Sequence, residues 1–189
     1  MDGFDPVCVE NLPAAVDNAY TMRMARLVLF LVAALCLAAD CPARRLLSFL
    51  VGRWSGAASA LRPGGMMDLI QTEEAQLKLD GLVMMIEGVG RAKTDGKLVL
   101  QALGLISFDD LSGTYRMRAF NDGRWLETDV ELAGGGNGLS WGFTLGDIKT
   151  RSILRINDKG EWTESAEVTV GTSPPRKLMD LAVRRIAAQ

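Results

Sequence analysis

Phe49-Leu50-Val51-Gly52-Arg53-Trp54-Ser55-Gly56 is the stretch on which the reading of this chain turns. Before it, Ala43 to Leu50 sets Leu46, Leu47 and Leu50 at helical spacing, enough for about two turns of helix. After it, short strand-like segments alternate with Gly- and Asp-rich turns to the end of the chain. A Gly-x-Trp at the head of such a series is where a small up-and-down β-barrel begins, because one indole is large enough to plug one end of it. The fold class is therefore all-β: an antiparallel up-and-down barrel of about ten strands, with the short helix over one mouth.

Composition narrows the chemistry. The 189 residues are 48% hydrophobic, which suits one globular domain with a real core. The net charge is −2, but Asp2, Asp5, Glu10, Asp17 and Asp40 outweigh Arg23 and Arg26 in the first 43 residues. Residues 44–189 keep 19 basic and 18 acidic side chains, without the basic excess of a nucleic-acid binder. Cysteine stops at Cys41, so the barrel domain depends on no disulfide or thiolate-held metal. Histidine is absent, which removes Ser-His-Asp and Cys-His catalysis and every His-ligated metal. No catalytic residue and no metal site are assigned, and the acidic turns Asp109-Asp110, Asp122 and Asp158 lack EF-hand spacing.

Residues 1–43 read as an N-terminal extension carrying a signal peptide, and residues 44–189 as the single barrel domain. Leu27 to Ala39 is an apolar run of 13 residues preceded by Arg23 and Arg26. A spanning helix needs roughly 20 apolar residues, so the run suits an h-region better than a stable membrane span. Cleavage after Ala38 or Ala43, a start at Met22 or Met24, and an exported, periplasmic or secreted product are the expectations.

Turn signals set the rhythm of the barrel. Strands are expected near 53–61, 67–79, 82–93, 97–108, 114–120, 124–133, 139–145, 148–157, 161–170 and 177–186. Asp80-Gly81 and Asn121-Asp122-Gly123 are the strongest hairpin signals, since a type I′ turn needs positive φ at both central residues. Alternation gives the inward faces: Leu69, Gln71, Glu73, Ala75, Leu77 and Leu79; Leu126, Thr128, Val130 and Leu132; Leu139, Trp141, Phe143 and Leu145; Trp162, Glu164, Ala166, Val168 and Val170. Met84, Met85 and Ile86 make the third strand apolar on both sides.

The pattern resembles the calycin superfamily of lipocalins, fatty-acid-binding proteins and ten-stranded nitrobindin-like barrels. It is most similar to secreted bacterial nitrobindin-like barrel proteins, through LVGRWSG, EEAQLKLDGLVMMIEG and FDDLSGTYRMRAFNDG. The resemblance covers residues 46–186 and implies structural roles for Gly52 and Trp54. It also implies an arginine of the last strand, Arg184 or Arg185, packed on the indole; Arg184 is the one assigned. Nitrobindins hold haem through a histidine that this chain lacks, so no cofactor is expected.

A ten-stranded barrel leaves room at its centre, and polar side chains on its inner face are then the candidates for binding. Gln71, Glu73, Thr128 and Glu164 fit by parity, with Trp141 and Phe143 as wall and Met84 as a further lining residue. Arg116, with Arg118 on the same face, is the candidate for gripping a carboxylate from inside. The leading reading is an exported barrel that binds a small apolar or amphipathic molecule, with its oligomeric state open. The alternatives are an isomerase- or cyclase-type enzyme using an interior Glu, and a cell-envelope interaction protein with a solid core around which Trp125 or Met66-Met67 forms a contact patch.

Overall fold

The computed structural model describes residues 47–187. Eleven strands follow one another: β1 Gly52–Arg62, β2 Gly65–Lys78, β3 Val83–Ala92, β4 Leu98–Asp109, β5 Thr114–Asn121, β6 Arg124–Ala133, β7 Gly138–Trp141, β8 Thr144–Leu145, β9 Ile148–Ile156, β10 Trp162–Val170 and β11 Arg176–Ile186. Each pairs antiparallel with the next, except that β7 passes over β8 to pair with β9, and β11 returns to β1, so the sheet closes on itself. β7 and β8 both pair with β9 and are two pieces of one stave, which makes a closed ten-stranded antiparallel barrel. Closure removes the unpaired edges that an open sheet of this size presents to other chains.

The expected strands lie within one or two residues of those found, with one interruption. The 139–145 segment breaks at Gly142-Phe143, where the Thr128 hydroxyl donates to the Gly142 carbonyl at 2.6 Å. On the other side the Phe143 amide donates to the Thr150 hydroxyl at 3.1 Å. Side-chain oxygens thus replace ladder bonds where the strand kinks.

Two turns show how residue type sets the connection. Asn121 pairs with Arg124 around Asp122 (φ 49°) and Gly123 (φ 74°), the two-residue I′ geometry expected. The β2–β3 connection is longer: Lys78 pairs with Val83, and Leu79, Asp80 and Gly81 all take positive φ. Leu79 therefore leaves the inner face and is 72% exposed, against its expected inward position. Leu145 and Val170, also expected inside, end their strands in solvent.

One end of the barrel is closed as the opening stretch suggested. The described part of the expected 43–50 helix is a single 3-10 turn, Ser48–Leu50, which turns Leu47 and Leu50 into the core. The apolar residues of 27–39 and the signal-peptide reading lie outside the described residues. Trp54, 1% exposed, donates its indole N–H to the Leu50 carbonyl at 2.8 Å and meets Trp162 edge-on at 5.7 Å between ring centres. An edge-to-face pair aligns the positive rim of one ring with the negative face of the other, adding about 0.5–1.5 kcal/mol to area burial. Gly56 lets β1 press against β11: a Cβ there would meet the Ala182 carbonyl at 2.3 Å.

The arginine over Trp54 is Arg185, not the assigned Arg184. Trp54 and Arg185 are cross-strand partners, and the guanidinium lies 4.3 Å from the ring centre. Arg185 also donates to the Val51 carbonyl and, at 3.1 Å, to the Phe49 carbonyl, so one side chain ties the 3-10 turn to the last strand. Arg184, one residue earlier, points outward and pairs with Glu161 at 2.7 Å. Gly52 makes room for this clamp, since its Cβ would lie 2.6 Å from an Arg185 nitrogen.

Candidate functional site

The interior holds a cavity of about 380 Å³, within the range of ligand pockets. Its wall is mostly apolar, with Ile106, Met117, Leu139, Trp141, Phe143 and Leu154 prominent. Phe120, Asn121 and Arg124, all exposed, border it where it opens beside the β5–β6 turn.

Polar groups converge deeper inside. Gln71 is 1% exposed and Glu73 8% exposed, and the Gln71 amide donates to a Glu73 carboxyl oxygen at 2.7 Å. Both lie across β3 because their cross-strand partners are glycines, Gly90 opposite Gln71 and Gly88 opposite Glu73. A Cβ on Gly88 would sit 2.8 Å from a Glu73 oxygen, and one on Gly90 2.6 Å from Gln71 Oε1. The missing side chains form the cradle in which the polar pair rests. Glu164 enters from β10, between Leu154 of β9 and Leu181 of β11 in the ladder. Ser152 and Thr150 of β9 and Trp162 of β10 complete the polar lining.

Two atoms of this lining lack a partner among the described residues: Gln71 Oε1 and Trp162 Nε1. An orphaned buried group costs roughly 1–3 kcal/mol, so a cavity carrying both has an unmet demand for a polar partner. The two carboxyls sit in the same apolar surroundings, Glu73 buried and Glu164 half-buried. Burial raises Glu73 to about 7 even though the Gln71 hydrogen bond favours its charged form. Burial pushes Glu164 up to about 8, with the nearby Glu73 charge adding to the rise. No lysine or arginine pairs with either among the described residues. Two carboxyl groups in one apolar room, each holding its proton near neutrality, are therefore the central chemical feature of the molecule.

The other candidates fall elsewhere. Met84, 1% exposed, packs in the core and does not line the cavity, because its place near the start of β3 puts it among the residues closing the barrel. Arg116 is on the outer face, 3.4 Å from Asp129, and Arg118 beside it pairs with Glu127 and lies 4.7 Å from the Trp125 ring centre. Strand parity sends both arginines out because Tyr115 and Met117 point in, so a carboxylate clamp inside the barrel is ruled out for them. Thr128 is spent on the strand break and does not line the cavity. Trp162 was expected on the face of Glu164 but not as a hydrogen-bond donor, and Gly88, Gly90, Thr150 and Ser152 were not singled out at all. Among the described residues no group of three or more metal-ligating side chains occurs, and no helix is long and apolar enough to cross a membrane.

A closed ten-stranded antiparallel barrel with an interior cavity fits a calycin-like fold. Among solved structures, the chain is similar to the crystal structure of Rv2717c from M. tuberculosis, with a TM-score of 0.59 at 14% sequence identity. The match covers 77% of this chain and 98% of that one, and at such identity it speaks for the fold alone. No family model and no curated protein sequence matches the chain.

Proposed function

We propose that this protein is a binding barrel that takes a small amphipathic molecule into its interior. The observation that carries the reading is the 380 Å³ cavity with apolar walls and a cluster of unsatisfied polar groups at its inner end. The wall buries the apolar body, and Gln71, Glu73 and Glu164 orient the polar end. Taking each non-hydrogen atom to displace about one water's share of some 30 Å³, the room suits a ligand of about a dozen such atoms. The Gly-x-Trp opening and the strand rhythm support placing the chain with the nitrobindin-like and lipocalin-like barrels. The basic and then apolar N-terminal run supports export to the periplasm or beyond.

Native mass spectrometry of the purified protein tests the reading, together with titration of an environment-sensitive apolar dye competed by candidate ligands. Stoichiometric binding is expected in the wild type and its loss in L139W, which fills the cavity from the wall. Dye binding unaffected by L139W would refute it. A second reading, an enzyme using interior carboxyls as acid and base, draws on the two raised glutamates. Groups that titrate near pH 7 are suited to proton transfer.

A further inference from the structure

We propose that the end of the ligand buried against Gln71, Glu73 and Glu164 is an ammonium group, so that the barrel selects hydrophobic amines. The inference rests on the reading that the interior holds a ligand, and it names the class. Gln71 is 1% exposed, its amide nitrogen is engaged by Glu73, and its carbonyl oxygen is left without a partner in the lining of the cavity. Beside it stand the carboxyl oxygens of Glu73 and Glu164, which reach the same room from β2 and β10. Once one carboxyl group gives up its proton, the lining sets an unmatched amide oxygen and a carboxylate, with no cation beside them among the described residues, against the Trp162 N–H and the remaining carboxyl O–H. The Ser152 and Thr150 hydroxyls serve either way.

An ammonium brings three donors and no acceptor, whereas a carboxylate brings acceptors only. The charge argument agrees. The titratable residues lining the cavity are Glu73, Glu164 and Arg124, and Arg124 stands exposed at the mouth; β3, β4, β5, β9 and β11 contribute only uncharged side chains. A fatty-acid carboxylate placed at the inner end becomes a third acidic group with no cation beside it. An ammonium instead supplies the counter-charge that the two glutamates lack, in a wall that includes the aromatic side chains of Trp141 and Phe143. Binding is then an exchange. The ammonium enters, a carboxyl group of the Glu73–Glu164 pair ionises against it, and its proton leaves to solvent, so the net charge inside is unchanged.

The test uses the full-length protein and three probes with the same tail: octylamine, 1-octanol and sodium octanoate. Calorimetry at pH 7 in buffers of different ionisation enthalpy measures affinity and proton release together. Octylamine is expected to bind at least tenfold more tightly than octanoate and to release about half a proton at pH 7, where Glu73 is already half ionised, and close to one when the measurement is repeated at pH 6. Its affinity should fall by about fifteenfold from pH 7 to pH 5.5, as a proton must be displaced from a site that holds it more firmly. E164Q and E73Q should each weaken octylamine at least tenfold while leaving octanol within threefold, which also reports that the variants fold. Octanoate binding as tightly as octylamine, or amine binding without proton release, overturns the amine proposal and leaves the binding barrel standing. Failure of all three probes to bind overturns both.

Discussion

Raising the pH from 5 to 8 should destabilise the empty barrel, and the size of the effect follows from its two interior glutamates. In the unfolded chain both ionise at an ordinary 4.5, whereas in the fold Glu73 ionises near 7 and Glu164 near 8. Between those limits the native state binds protons that the unfolded state has lost, so stability falls as pH rises. The stabilisation is fully present below about pH 4.5 and is gone once pH passes the folded values. Each tenfold difference in proton affinity is worth about 1.4 kcal/mol. From pH 5 to 8 Glu73 then accounts for a loss of about 2–3 kcal/mol and Glu164 for about 3–4, together about 6 as an upper bound. At about 2–4 °C per kcal/mol for a domain of this size, the melting temperature should drop by about 12–24 °C. Urea unfolding at half-unit pH steps measures the slope directly. E164Q should remove about half of it, and the double variant E73Q/E164Q should be nearly flat over this range. A wild-type profile flat between pH 5 and 8, or a slope that persists in the double variant, would refute the reasoning. Below pH 4 the trend reverses, because hydrogen bonds from Ser112, Asn157 and Lys97 hold Asp109, Glu161 and Asp95 below their ordinary values, and protonating them removes support.

Three further outcomes follow from the geometry. G88V should drive the Glu73 carboxyl out of its cradle, abolishing ligand binding and costing about 1–3 kcal/mol of stability by urea unfolding, since the new Cβ starts 2.8 Å from a Glu73 oxygen. R185A should cost about 2 kcal/mol through the lost ring contact and the released carbonyls of Phe49 and Val51, while R184A, an outer-face ion pair, should cost under about 1. W54A should cost about 3–5 kcal/mol and expose Leu47 and Leu50, read by thermal melting and by binding of an apolar dye.

Most of the architecture was legible because a closed meander depends on local signals. Alternation has a period of two, so a strand whose turns are correctly placed presents the right face without any knowledge of its neighbours. Gln71, Glu73 and Glu164 came out on the inner face for that reason. The same rule makes a choice between adjacent residues all or nothing, and this is why Arg184 was assigned where Arg185 packs. Gly88 and Gly90 were readable but unread. A hairpin centred on Asp80-Gly81 already sets Glu73 opposite Gly88 and Gln71 opposite Gly90, and a long polar side chain facing glycine is free to lie across it. The break at Gly142-Phe143, and with it the loss of Thr128 to a structural bond, depends on contacts between β6, β7 and β9 that no local pattern encodes.

The central claim is that the interior is a solvent-poor room in which two glutamates keep their protons near neutral pH. Titration of the side-chain carboxyl carbons in glutamate-labelled protein, followed by carbon-13 NMR from pH 3 to 10, tests it most directly. Two resonances are expected to titrate near pH 7 and pH 8, to disappear one at a time in E73Q and E164Q, and to shift to lower pH when octylamine is added. If every glutamate titrates between about pH 4 and 5, as exposed carboxyls do, the two side chains stand in water and the account is wrong.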